Sequence, residues 1–102
     1  MTTHTFTSKL LVAGKAKDGN NRLRVSLGIR DYEFVSYDKE MLYFENMNVK
    51  RTTGETFDVK YPRISKGTKL GKYTPHYITI PYDVVLEHDL KVYEPVVVTL
   101  EW

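Results

Sequence analysis

The stretch ITIPYDVVLEHDLKVYEPVVVTLEW, residues 78–102, carries three local signals in 25 residues. A short run rich in β-formers, residues 77–80 (YITI), reads as a strand that stops at Pro81. From Tyr82 to Leu90 the spacing of Val84, Val85, Leu86 and Leu90 is helical. Pro81 suits the entry, and Asp83 and Glu87 fall early enough to favour the helix dipole. Pro95 then opens an apolar strand, residues 96–102 (VVVTLEW). Strand, short helix and strand make a small unit, and what the rest of the chain adds to it decides the fold.

Outward from there the pattern is mostly strand. Residues 5–13 (TFTSKLLVA), 22–27 (RLRVSL), 41–49 (MLYFENMNV) and 56–61 (TFDVKY) are rich in β-branched and aromatic side chains. Asp18-Gly19-Asn20-Asn21, Thr53-Gly54-Glu55 and the two-glycine stretch 66–75 supply turns between strands. A second short helix or turn fits residues 29–35. The expectation is a mainly β chain with one or two short helices, in one domain over residues 1–102.

Hydrophobic residues make up 41% of the chain and aromatics 13%, enough for a small core. The lack of cysteine removes disulfides, thiolate nucleophiles and zinc–thiolate sites, and fits a reducing cytoplasmic compartment. No apolar run approaches the roughly 20 residues of a membrane helix, and residues 1–8 are too polar for a signal peptide, so an intracellular protein without membrane partners is expected. The net charge of +2 hides a segregation of sign. Residues 1–58 carry nine basic and eight acidic side chains, 59–82 five basic and none acidic, and 83–102 one basic and five acidic. Such a field attracts a polyanion to one face and repels it from another.

An offset of 55 residues superposes two parts of the chain without a gap. Arg22-Leu23-Arg24-Val25-Ser26 falls on Tyr77-Ile78-Thr79-Ile80-Pro81, Ile29 on Val84, Val35 on Leu90, and Met41-Leu42-Tyr43 on Val96-Val97-Val98. The match is one of apolar pattern, with almost no identity, and any two β-rich stretches share some of it. Read as a repeat, it divides the chain into halves 5–52 and 56–102.

Ile78-Thr79-Ile80-Pro81, the helical run to Leu90 and the valine-rich closing strand resemble the AbrB/SpoVT/MazE swapped-hairpin family, whose members carry a strand ending in T-I-P, a short helix ending near a leucine, and a strand of alternating valines. The chain departs from the family in three places. Glu87-His88-Asp89 stands where a glycine usually follows the helix, Tyr93-Glu94-Pro95 where a Gly-Asp pair precedes the last strand, and Ser26 where the first half would repeat Pro81. The resemblance implies a swapped-hairpin-like small barrel of two pseudo-repeated halves, completed within one chain or in a homodimer, and a DNA-binding transcriptional regulator.

Independently of family, the tract KYPRISKGTKLGKYTPHYITIPY places Lys60, Arg63, Lys66, Lys69 and Lys72 at intervals of three or four residues, with Tyr61, Tyr73 and Tyr77 among them. Its glycines and prolines make a flexible arm or hairpin loop of it. Lysines there can neutralise phosphates largely without regard to sequence, and tyrosines such as Tyr73 can stack on unpaired bases. A second basic group, Lys15, Lys17, Arg22 and Arg24, surrounds the Asp18 turn. Arg22 and Arg24 alternate along a strand and share a face, as a β-ribbon reading guanine edges requires and as a plain solvated sheet face also would.

Catalytic chemistry finds no footing. His4, His76 and His88 are scattered without partners at metal-ligand spacing; His4 is expected in a frayed terminus, His76 in the basic loop and His88 facing solvent. Asp83, Glu87 and Asp89 read as the charged outer face of a short helix, and Gly67 to Gly71 lacks the lysine–hydroxyl pair of a phosphate loop. Trp102 is expected to pack against the sheet. The sequence therefore points to a non-enzyme without metal or cofactor, binding double-stranded DNA through the basic loop and the strand arginines. Two other functions compete: a small barrel for single-stranded nucleic acid, and an antitoxin-like or virus-encoded inhibitor using its acidic, tyrosine-rich surface on a protein partner.

Overall fold

The computed structural model describes residues 2–36 and 44–102. Among them are seven strands and two helices: β1 (Thr3–Lys15), β2 (Asn21–Leu27), α1 (Ile29–Ser36), β3 (Asn46–Arg51), β4 (Thr56–Lys60), β5 (Ile64–Lys66), β6 (His76–Thr79), α2 (Tyr82–Glu87) and β7 (Pro95–Glu101). The strands form one antiparallel sheet in the order β4-β3-β7-β1-β2-β6-β5. The mainly β reading with two short helices therefore holds. The strand expected over residues 41–49 begins at Asn46, its first three residues lying outside the described ones. Ile64–Lys66 adds a three-residue strand too short to stand out inside the basic tract.

β1 organises the sheet because it serves two neighbours in turn. Residues Thr3 to Lys9 pair with β7, and Leu10 to Lys15 pair with β2. It thus joins two four-stranded half-sheets, β4-β3-β7-β1 and β1-β2-β6-β5. On the far side, β4 runs into β5 through only residues 61–63, although the two strands lie at opposite ends of the order. A chain covers at most about 3.6 Å per residue, so the two edges come within about 15 Å of each other and the sheet must curl. It does not close as the expected barrel, because no ladder joins β4 to β5. Tyr61 takes the left-handed region at φ 53°, and Pro62 has no N–H to donate, so pairing stops at that corner.

Inward-facing residues of both half-sheets meet in one core. One row across the sheet is Phe57–Val49–Val98–Phe6; the other is Leu10–Val25–Ile78–Ile64. Val35 of α1, Val85 of α2, Phe44 and Leu90 close it from outside the strands. Trp102 packs edge-on to Phe44 at 5.4 Å and exchanges two backbone hydrogen bonds with Thr2, as its expected place against the sheet requires.

The halves correspond through a pseudo-two-fold. β2 pairs with β6 at Arg24↔Thr79, an offset of 55, and β3 pairs with β7 at Val49↔Val98, an offset of 49. The corners repeat as well. Leu10 N–H donates to the Glu94 carbonyl at 3.0 Å and Tyr61 N–H to the Glu45 carbonyl at 3.1 Å; Tyr93 N–H donates to Leu10 and Phe44 N–H to Pro62. The ungapped 55-residue superposition therefore holds for β2 and β6 and fails after the helix, where the first half runs for six more residues before its strand. The matching of Met41-Leu42-Tyr43 to β7 falls on residues outside the described ones.

Left-handed residues occupy both turns where glycine is missing. α2 ends at Glu87, not Leu90, because Asp89 turns left-handed at φ 49°. Leu90 N–H then bonds to the Val85 carbonyl and Asp89 N–H to the Leu86 carbonyl, a Schellman closure with Leu90 and Val85 both buried. Tyr93, at φ 64°, makes the corresponding reversal before Pro95.

Candidate nucleic-acid interface

Sign is segregated by half-sheet. In β1-β2-β6-β5 the strand residues from Leu10 onward carry no carboxylate, and neither does the 67–75 connection. In the other half-sheet the outer face is neutral to acidic. Thr5, Thr99, Asn48 and Asp58 form a row across β1, β7, β3 and β4, and Asn46 donates to both Asp58 and Glu101. The amides of Asn46 and Asn48 hold the Asp58 carboxyl below its usual range.

The basic half-sheet has a hairpin tip at each end. Because β2 and β6 run antiparallel, the β1–β2 turn with Lys15 and Lys17 lies at one end, and the β5–β6 connection with Lys66, Lys69 and Lys72 at the other. All five lysines are exposed. The seven residues of β2 separate the tips by about 20 Å at a strand rise of about 3.3 Å. The β5–β6 connection is an ordered hairpin. Gly67 N–H bonds to the Pro75 carbonyl, and Leu70 and Tyr73 exchange both backbone bonds around Gly71-Lys72, with Gly71 at φ 63° at the first turn position, where a two-residue loop favours glycine.

Between the tips, Arg22 and Arg24 project from the outer face while Leu23 and Val25 are buried, as their alternation predicts. Each lies over a tyrosine ring. The Arg22 guanidinium is 5.5 Å from the Tyr82 centroid and that of Arg24 is 3.7 Å from the Tyr77 centroid. Tyr82 also donates its hydroxyl to Asp18, which lowers the Asp18 pKa and raises that of Tyr82. A guanidinium stacked this way keeps its N–H edge directed outward for an oxygen acceptor.

Not every expected residue joins this surface. Lys60 ends β4 in the other half-sheet, beside Glu45, Asn46 and Glu101. Arg63 is exposed at the corner before β5. Tyr73 is half-buried with its hydroxyl 3.4 Å from the Leu27 carbonyl, so it props the hairpin against β2 and is no open stacking platform.

The histidines are placed otherwise than expected, each taken up by local packing. His4 sits in β1, bonded to Asp31 at 2.8 Å and stacked on Phe34. His76 is buried against Tyr32 at 3.6 Å; burial and nearby Lys66 push its pKa down, so it adds no charge to the basic loop. His88 stacks on Phe57 and bonds to Glu55.

Sequence reading missed the tyrosines under the arginines. A diagonal cross-strand neighbour such as Arg24–Tyr77 depends on ladder register, which the alternation of Arg22 and Arg24 does not fix. It also missed the clamp around Arg51, which holds Glu94 through two bonds of 2.6 and 2.8 Å, Glu55 at 3.1 Å and the His88 carbonyl at 2.7 Å.

Comparison with protein-family models, curated proteins and solved structures finds no match for this chain.

Proposed function

We propose that the chain binds double-stranded DNA through the outer face of β1-β2-β6-β5. The observation that carries the reading is the carboxylate-free half-sheet with a lysine tip at each end and two stacked arginines between. The tips supply phosphate contacts, and the arginines reach base edges in a groove. Duplex is favoured over single strand because the guanidiniums of Arg22 and Arg24 cover the Tyr82 and Tyr77 rings that would otherwise stack on bases. A role in transcriptional regulation and an intracellular location accord with the swapped-hairpin resemblance and the absence of cysteine. No helix among the described residues is long and apolar enough to cross a membrane.

Electrophoretic mobility of labelled duplex and of its separated strands, at low and moderate salt, tests the proposal. Duplex should be retarded more than single strand, with retardation weakening as salt rises. No duplex shift at low salt would sink the reading, and a stronger shift of the single strand would replace it with the single-strand one.

A further inference from the structure

Resting on that duplex reading, we infer that Tyr77 is a positioning residue, seated by Gly67, that aims Arg24 at guanine edges and so makes Arg24 the specificity-determining group of the face. Arg24 pairs with Thr79 in the ladder, and Tyr77 is the diagonal neighbour on the same face. The Arg24 guanidinium lies 3.7 Å from the Tyr77 ring centroid, while its Nε is buried and has no hydrogen-bond partner. The ring contact is what orients the fork.

Tyr77 is fixed in turn by Gly67. A Cβ at Gly67 would stand 2.4 Å from Tyr77 Cε2 and 2.9 Å from Pro75 Cγ, so only a residue without a side chain lets the end of β5 pass this edge of the ring. The bond from Gly67 N–H to the Pro75 carbonyl, 2.8 Å, closes the slot. Arg22 has no such seat: its guanidinium is 5.5 Å from the Tyr82 centroid, and Tyr82 sits in the short helix after β6.

A planar fork held at one angle suits bidentate recognition of guanine O6 and N7, whereas lysines on hairpin tips act as point charges. Discrimination therefore belongs to the Gly67–Tyr77–Arg24 stack, and sequence-blind affinity to Lys66, Lys69 and Lys72.

The full chain is titrated with a G·C-rich duplex and with the same duplex carrying 7-deazaguanine, which lacks the N7 acceptor. Wild type should bind the deaza duplex roughly fivefold or more weakly, the range expected when one bidentate pair is removed. Arg24→Lys keeps the charge and should abolish this difference. Tyr77→Phe should keep it, and Tyr77→Thr, a good strand former on a half-exposed outer position, should abolish it, with no further effect when combined with Arg24→Lys. Replacing Lys69 and Lys72 together should weaken both duplexes equally. By NMR, the ring-current shift of the Arg24 side chain should persist in Tyr77→Phe and vanish in Tyr77→Thr. Equal wild-type affinity for the two duplexes would overturn guanine reading while leaving duplex binding intact. A Tyr77→Thr protein that retains the wild-type ratio would overturn the positioning role. Absence of duplex binding altogether would remove the reading beneath both.

Discussion

Asp89 shows how one residue does a glycine's work at a cost. Its φ of 49° lets α2 close through Leu90 and Asp89, but an L-residue in that region carries steric strain. Its ion pair with Lys91 is fully exposed and offsets little. Asp89→Gly should therefore raise stability by about 0.5–1 kcal/mol, read as a higher unfolding midpoint in urea. The Arg51 clamp makes the opposite prediction. The side chains of Arg51 and Glu94 are only 14% and 11% exposed, and the Arg51 bonds pull the Glu94 carboxyl below its ordinary 4.5. A depressed carboxyl stabilises the fold above its unfolded pKa and ceases to do so as pH falls through the folded value. Glu94→Gln should cost about 2 kcal/mol at pH 7, with the gap to wild type narrowing below about pH 4 in thermal unfolding. The strand arginines were legible as residues because alternation is local. Their tyrosine supports and the Arg51 clamp were not, because both depend on groups brought together across turns and strands distant in sequence.

At the scale of elements, the β5–β6 hairpin carries its lysines on an ordered frame. Gly71 begins the turn and the Tyr73 hydroxyl reaches the Leu27 carbonyl, so Lys69 and Lys72 are displayed at a defined distance from Arg24. Neutralising Lys66, Lys69 and Lys72 together should lower duplex affinity and reduce the slope of log affinity against log salt by about 0.9 for each phosphate no longer neutralised. An unchanged slope would take the hairpin out of the interface. The free edges are guarded in ways that sequence hints at. β5 is only three residues long, and β4 alternates Asp58 and Lys60 with its buried positions, both devices that discourage pairing with a second sheet.

For the whole molecule, the halves 5–52 and 56–102 are related by symmetry yet are not separate folding units. β3 lies in the first half, but both its ladder partners, β4 and β7, come from the second. Each half expressed alone should show no dispersed amide spectrum, and mixing the two should restore it; a folded isolated half would show that the core is divisible. The symmetry was partly visible as a 55-residue apolar echo, blurred because the connection before β3 is longer than its counterpart before β7. The central place of β1 also has a bearing on synthesis. β7 emerges from the ribosome some 90 residues after the segment of β1 it pairs with, an interval on the order of 5 to 20 s at ordinary translation rates. Throughout that interval the nascent chain carries an open strand edge in its first dozen residues, so a chaperone that holds extended segments, or a sluggish run of codons between the two, would govern how much protein reaches the native state.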